Sequence, residues 1–387
     1  MMSYLRGLKL MISRIVIFYG SKKDFNKLIK NEVEGDILPF MDLIQQYNAR
    51  IRPSESGINA HVLRQRIKVE NCVVEADDYG SVLDHVLSNF VNIVCMNHDV
   101  DNLYVQNPPK RVAHSLKAYE SVNTDTSIEI KKSEYKKITK TVLKNIYVTL
   151  QENILGQQKC IEGLVSGLYR MIPDTEKKPT VLLMYGPSGV GKTETAKCAS
   201  ECLGGDLLRI QFSMMQTNEA YNYVYGAEHT HSSLARDLLG RESDIVLIDE
   251  FDKVNPNFYN AFYELFDDGK YEDTNYIVDC RKTAFVLTSN FESENQIKKI
   301  LGPAMFSRIG ACIQYDKLGN EEKKIIINSY YNKLLGQLDE EDRKIIKKSR
   351  IREWFIDNVG RYDNIRLMKN KIENAVYEEL TKCLISE

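Results

Sequence analysis

The sequence predicts an α/β protein organised around a P-loop core, preceded by a second, smaller α/β domain. Three observations carry that prediction. The stretch "TVLLMYGPSGVGKTETAKCASECL" (residues 180–203) runs in the order strand, glycine-rich turn, amphipathic helix. Two further apolar runs, "DIVLIDEFDK" (244–253) and "KTAFVLTSN" (282–290), have the composition of buried parallel strands and end in polar residues, where an open sheet gathers its ligands. Residues 13–105 alternate short apolar runs ("RIVIFYG", "VENCVVEA", "NIVCM") with amphipathic ones ("DFNKLIKNEV", "FMDLIQQYNA", "VLDHVLSNF"), the rhythm of a small α/β unit.

The first domain is assigned to residues 1–110 and carries no chemical motif. Asp77, Asp78 and Asp84 favour helix starts through the dipole and need no other explanation. The prolines of "VQNPPKR" (105–111) and the polar "SVNTDTSIEIKK" (121–132) predict a linker over residues 111–135. Ser133 is then expected to cap a long helix running towards Gly156.

At 387 residues the chain exceeds one small core. Its 52 basic and 54 acidic residues balance, which argues against nucleic acid or an anionic membrane as partner. The most basic run, "DRKIIKKSRIRE" (342–353), has the spacing of a solvated helix face. Eight scattered cysteines fit free thiols in a reducing compartment, and a cytoplasmic location is expected. Cys95, His98 and His85 do not amount to a tetrahedral metal site. The apolar piece "IVIFY" is too short for a signal peptide, no segment is long enough to span a membrane, and Met11 is an alternative start.

The P-loop is where chemistry is legible. Gly186, Gly189 and Gly191 let backbone N–H groups converge on phosphate oxygens, with Pro187, Ser188 and Val190 completing the loop and Glu194 following it. Lys192 is expected to bridge the terminal phosphates and Thr193 to ligate Mg2+. Asp249 would hold the metal through water and Glu250 would polarise the attacking water. Asn290, at the tip of the next strand with Thr288 and Ser289, is placed to bond that water or the γ-phosphate.

From about Lys140 onward the order of pieces resembles the AAA+ module of Clp-type protein unfoldases and disaggregases, above all the second ATPase ring of the ClpA and ClpB kind. "ILGQ" (154–157) is similar to that family's V-I-G-Q adenine box, "DEFDKVNPNFYNAFYELFDDGKYED" to its D-E-I-E-K-A-H-P block, and "VDCRKTAFVLTSN" to its V-D-F-R-N-T…M-T-S-N. The resemblance implies an AAA+ core over residues 136–318, a helical lid over 319–387, ATP and Mg2+ as cofactors, and a homo-hexameric ring. It implies that Leu155 and Gly156 touch the adenine, that Arg308 in "PAMFSRIGACIQY" reaches the neighbouring subunit's nucleotide, and that Arg366 senses nucleotide from the lid. Asn364 and Ile365 stand where the family has glycine and alanine ahead of that last arginine.

By the same resemblance "NYVYGAEHT" occupies the place of the loop that grips polypeptide in the axial pore, with Tyr223 and Val224 as the gripping pair. The competing reading of three alternate tyrosines is a buried strand. "DDGKYEDTNY" would form a second pore hairpin with Asp267 and Gly269 at its turn. Only 17 residues separate Asn290 from Arg308, leaving no room for the I-G-F or I-G-L loop that engages a ClpP-type peptidase.

Three functions remain open at this level. The leading one is a ring that remodels a protein captured by the amino-terminal domain. The second is an ATP-driven assembly switch whose amino-terminal domain signals or acts as effector. The third, disfavoured by the charge balance, is a DNA-directed motor.

Overall fold

The computed structural model describes residues 12–51, 67–173, 178–215 and 217–386; Met11 and the residues before it lie outside them. Among the described residues the amino-terminal domain is a parallel sheet of β1 (Arg14–Tyr19), β2 (Ile37–Pro39), β3 (Ile67–Val74), β4 (His98–Gln106) and β5 (Ser127–Lys132) in the order β2-β3-β4-β1-β5. Strand alternation sends Ile15 and Ile17 to one face, against Phe40, Leu43 and Leu103. Val16 and Phe18 go to the other, against Phe25 and Tyr104. Both faces are covered, and "IVIF" is apolar throughout for that reason.

Three expectations need correction here. Residues 111–132 are not a linker but the helix Lys110–Val122 and the edge strand β5, paired with β1 over its whole length. Pro109 is the helix N-cap, where a missing N–H costs nothing, so the prolines open an element instead of breaking one. "NIVCM" is a short π-helical turn (Asn92–Met96) and the strand follows it. Ser133 caps no helix: its Oγ accepts from the Ser21 N–H at 3.0 Å, and the helix Lys140–Asn153 is capped by Thr139.

The second sheet is also parallel, with β6 (Thr180–Tyr185), β7 (Leu208–Gln211), β8 (Ile245–Asp249), β11 (Ala284–Thr288) and β12 (Ala311–Gln314) in the order β12-β6-β11-β8-β7. β6, β8 and β11 are buried at every position. Val181, Leu183 and Tyr185 face a core rich in rings, with Phe212, Phe251, Phe262 and Phe266 in mutual contact. Leu182 and Met184 face a second core built with the helices Lys140–Asn153 and Gln158–Tyr169. This sequence of strands brings the carboxyl ends of β6, β8 and β11 to one edge.

The helices Asn320–Gln337, Glu340–Lys348, Ile351–Asp357 and Ile365–Ser386 form a separate cluster around Ile327, Ile346, Phe355, Met368 and Ile372. β9 (Lys270–Glu272) and β10 (Ile277–Asp279) make an antiparallel hairpin. Its turn lies at 273–276, where Asp273 Oδ1 accepts from the N–H groups of Asn275 and Tyr276. The expected turn residues sit elsewhere: Gly269 ends the preceding helix at φ 65° and Asp267 lies inside that helix.

The two α/β domains meet along a polar seam. Arg236 Nη2 lies 2.9 Å from Asp77 Oδ1 and donates to the Ala76 carbonyl at 3.5 Å. Nε2 of the buried His229 donates to the Val82 carbonyl at 2.9 Å. The hairpin turn is held by Lys110, whose N–H donates to Asn275 O at 2.7 Å and whose ammonium reaches Glu272 and the Asp273 carbonyl, both at 2.6 Å.

Candidate nucleotide site

A cleft of about 440 Å3 opens at the carboxyl edge of the second sheet and is lined by Ser188, Gly189, Gly191, Lys192, Thr193, Glu194, Asp249, Glu250, Asn290 and Arg366. The loop Gly186–Gly191 leaves β6 and feeds the helix Lys192–Cys202. Gly186, Gly189 and Gly191 have φ of 130°, 79° and 106°, a region that favours glycine. Space enforces the same choice: a Cβ on Gly186 would sit 2.2 Å from the Tyr315 carbonyl oxygen. One on Gly189 would sit 2.8 Å from Asn364 Oδ1 of the lid. Pro187 and Val190 stand within the loop between these glycines, and Val190 packs into the core beneath.

Lys192 is buried and donates to the carbonyls of Gly186 and Pro187, both at 2.7 Å, and to Asn290 Oδ1 at 3.4 Å. Burial pushes its ammonium down to about 8, partly offset by Asp252 and Asp249. An anionic ligand restores the charged form, so binding above pH 8 takes up a proton. The expected result is affinity for a fluorescent ATP analogue that falls by up to about tenfold per pH unit from 8 towards the ordinary 10.5. In the empty chain the sign for folding is opposite. The unfolded lysine holds more protons across that window, so folding stability rises with pH there and carries the full penalty below 8.

Asp249 ends β8, 5% exposed, with Oδ1 accepting from the Thr288 hydroxyl and Thr193 Oγ1 3.5 Å away. Glu250 follows in the left-handed region at φ 55°, costly for a non-glycine residue, with its N–H donating to Thr288 Oγ1 at 3.0 Å. That turn aims its carboxylate at Ser213 Oγ and at Gln211 Nε2, 3.4 Å away. A hydroxyl and a carboxylate are the hard oxygen donors that Mg2+ takes, and the glycine cradle is shaped for phosphate. The residues present therefore fit Mg·ATP.

Other expected residues lie around this cleft. The turn containing Leu155 and Gly156 faces the lid: a Cβ on Gly156, at φ 70°, would meet Glu322 and Leu318. Its neighbour Ile154 lies 3.7 Å from where a Cβ on Gly191 would be. Arg308 does not line the cleft of its own chain. Its guanidinium contacts Asp267 Oδ2 through Nε at 2.9 Å and Nη2 at 2.5 Å, and lies over the Tyr263 ring.

The gripping loop is the expectation that the geometry overturns. Residues Thr217–Tyr225 form a helix. At 3.6 residues per turn Tyr221 and Tyr225 share one side, rings 4.9 Å apart, and Tyr223 turns inward. Tyr223 is 7% exposed and donates to Asp237 Oδ2 at 2.7 Å; Val224 is fully buried; Tyr221 is 56% exposed. Neither a strand nor an exposed Tyr223 is found.

Sequence reasoning also missed Arg209 on β7. Its Nε and Nη2 lie 2.9 and 2.5 Å from Asp249 Oδ2. The spacing of 40 residues carries no local signature; the signal is structural, since β7 pairs with β8 in the register Gln211↔Asp249. Tyr330, Lys369 and Asn370 of the lid line the same cleft.

Parallel order, glycine cradle, Lys192, Asp249 and Glu250 together have the arrangement of a P-loop phosphate cradle. The family model described as AAA domain (Cdc48 subfamily) matches residues 177–341. Among curated proteins, the "ATP-dependent Clp protease ATP-binding subunit ClpC" of Staphylococcus aureus is 26% identical over 275 residues, covering 59% of this chain and 34% of that protein. The protein of the same name from Staphylococcus saprophyticus is 24% identical over 281 residues, covering 61% and 34%. The chain thus spans about a third of the length of the curated relatives it matches. The solved structure of the S. cerevisiae Hsp104-ADP complex aligns with a TM-score of 0.49 and 19% identity, covering 62% of this chain and 48% of that one. Over residues 177–341 the chain matches this AAA domain, and it is similar to Clp-type AAA+ ATPases.

Proposed function

We propose that this protein is a magnesium- and ATP-dependent switch, in which hydrolysis at subunit boundaries of a homo-oligomer controls how the amino-terminal domain is held and thereby its access to a protein partner. The observation that carries this reading is the packing of the tyrosine segment. Tyr223 is committed to Asp237, whose carboxyl burial raises above the ordinary range, and the next residue, Arg236, holds Asp77 of the amino-terminal domain. A chain of contacts therefore leads from the nucleotide cleft to that domain. Gln211 and Ser213 touch Glu250, Phe212 between them meets the Tyr223 ring at 6.0 Å, and Asp237 and Arg236 complete the path.

Bound Mg2+ would neutralise charge on the transferring phosphoryl group. The residues of this chain do the rest. Backbone N–H groups of Gly189 and Gly191 would orient phosphates, Lys192 would leave the loop carbonyls for them, Thr193 and Asp249 would hold the metal, Glu250 would take the proton of water, and Asn290 would position that water. Arg308 of a neighbouring copy completes the site, and Arg366 reports from the lid. The helix Glu294–Phe306 fills the segment ahead of Arg308, which supports action without a ClpP-type peptidase.

Polypeptide threading is the second reading, favoured by Tyr221 alone, an exposed ring beside the buried pair. Tyr221→Ala separates the two. A switch keeps ATP turnover and partner binding within about twofold; a threading ring loses unfolding of a tagged model protein entirely while still hydrolysing ATP.

A further inference from the structure

Both oxygens of Asp249 are engaged by side chains of the protein, and one of them by a cation. Oδ1 accepts from the Thr288 hydroxyl, while Oδ2 takes two donors of the Arg209 guanidinium, Nε at 2.9 Å and Nη2 at 2.5 Å. Asp249 is the carboxylate to which a magnesium-bound water would donate, so the arginine sits where the metal's charge would be felt. The Arg209 side chain is 45% exposed and the Asp249 side chain 7%. The arginine side of the pair is open to solvent, and Thr288 satisfies the other oxygen of the carboxylate.

Lys192 shows the same behaviour one element away. Its ammonium donates to the carbonyls of Gly186 and Pro187. Lys192 and Arg209 thus both rest on oxygens of the protein itself. The strand geometry makes the parking of Arg209 reversible. Arg209 and Gln211 share one face of β7, Ile210 pointing into the core behind them, and that face opens on the cleft. A guanidinium on an open face can turn towards phosphate oxygens without disturbing the strand.

We propose that Arg209 is a positioning residue that stands in for magnesium at Asp249 and must release this carboxylate before Mg·ATP is held. The inference rests on the reading of this cleft as a Mg·ATP site. Its consequence is a built-in competition: the arginine orients the carboxylate through two hydrogen bonds and raises the metal concentration needed to engage it. Two charge-assisted hydrogen bonds have to be given up at Asp249 for each metal bound.

The test is a Mg2+ titration of the full chain with a fluorescent ATP analogue at a fixed concentration. Wild type, Arg209→Met and Arg209→Lys are compared, with thermal unfolding run alongside. Removing the competitor in Arg209→Met is expected to lower the half-saturating Mg2+ concentration about tenfold, the scale of one charge-assisted interaction. Arg209→Lys, which keeps a charge but loses the two-pronged contact, is expected to lower it a few-fold, and it serves if the methionine variant does not fold. A half-saturating concentration unchanged or raised in the variants, with the analogue still bound, overturns the proposal and leaves Arg209 as a structural partner of Asp249. Wild type that binds no analogue at any Mg2+ concentration overturns the nucleotide reading instead, a separate result.

Discussion

Glu250→Gln is expected to lower ATP turnover by about a thousandfold while nucleotide affinity stays within about twofold. Glu250 is held away from the backbone path of β8 by its left-handed conformation, and its carboxylate accepts from Ser213 and Gln211. Glutamine keeps the shape and an oxygen that can still accept from Ser213, yet it cannot take a proton from water. In the proposed site phosphate binding is assigned to other atoms: the glycine N–H groups, Lys192 and Thr193. Steady-state phosphate release measured beside equilibrium binding of a fluorescent analogue checks the split. A parallel loss of binding would place Glu250 among the residues that hold the nucleotide, not among those that act on water.

The second large effect is expected at Arg308. Alanine there should cut turnover about a thousandfold, the scale of a finger arginine, and should leave nucleotide binding nearly intact. Within its own chain Arg308 is a partly exposed partner of Asp267 lying over Tyr263, so its removal should change folding stability by only about 1 kcal/mol. Asp267→Asn is the control. It frees Arg308 from its own-chain partner and should leave turnover within a few-fold. If the arginine acts across a subunit boundary, adding Arg308→Ala protein to wild type should depress activity by more than dilution explains. Turnover untouched by Arg308→Ala would confine the residue to its structural pairing.

The phosphate site was legible because phosphate recognition demands contiguous residues. Glycines that admit positive φ, a lysine at the helix start and carboxylates at a strand end all leave local marks. The tyrosine segment left an ambiguous one. Tyr221, Tyr223 and Tyr225 fit strand alternation, an exposed loop or a helix, and only tertiary partners decide between them: Asp237 for the Tyr223 hydroxyl, Phe212 for its ring, and the Tyr271 hydroxyl for the Val224 carbonyl.

The boundary at residues 111–132 was misread for the opposite reason. Pro109 looked like a break but caps a helix, and "SIEIKK" looked like a polar linker because an edge strand keeps few buried side chains. Arg209 left no mark at all, because its partner is near in space through strand pairing and far away in sequence.

In the proposed switch, nucleotide state reaches the amino-terminal domain through Phe212, Tyr223, Asp237 and Arg236. Amide hydrogen exchange of the Glu250→Gln protein, without nucleotide and with Mg·ATP, tests it most directly. Mg·ATP is expected to change exchange at least several-fold both in residues 217–237 and at the Lys110 amide, which donates across the seam to Asn275 O, with protection highest without nucleotide. Protection of the P-loop on Mg·ATP binding, with the Lys110 amide unaltered, would contradict it.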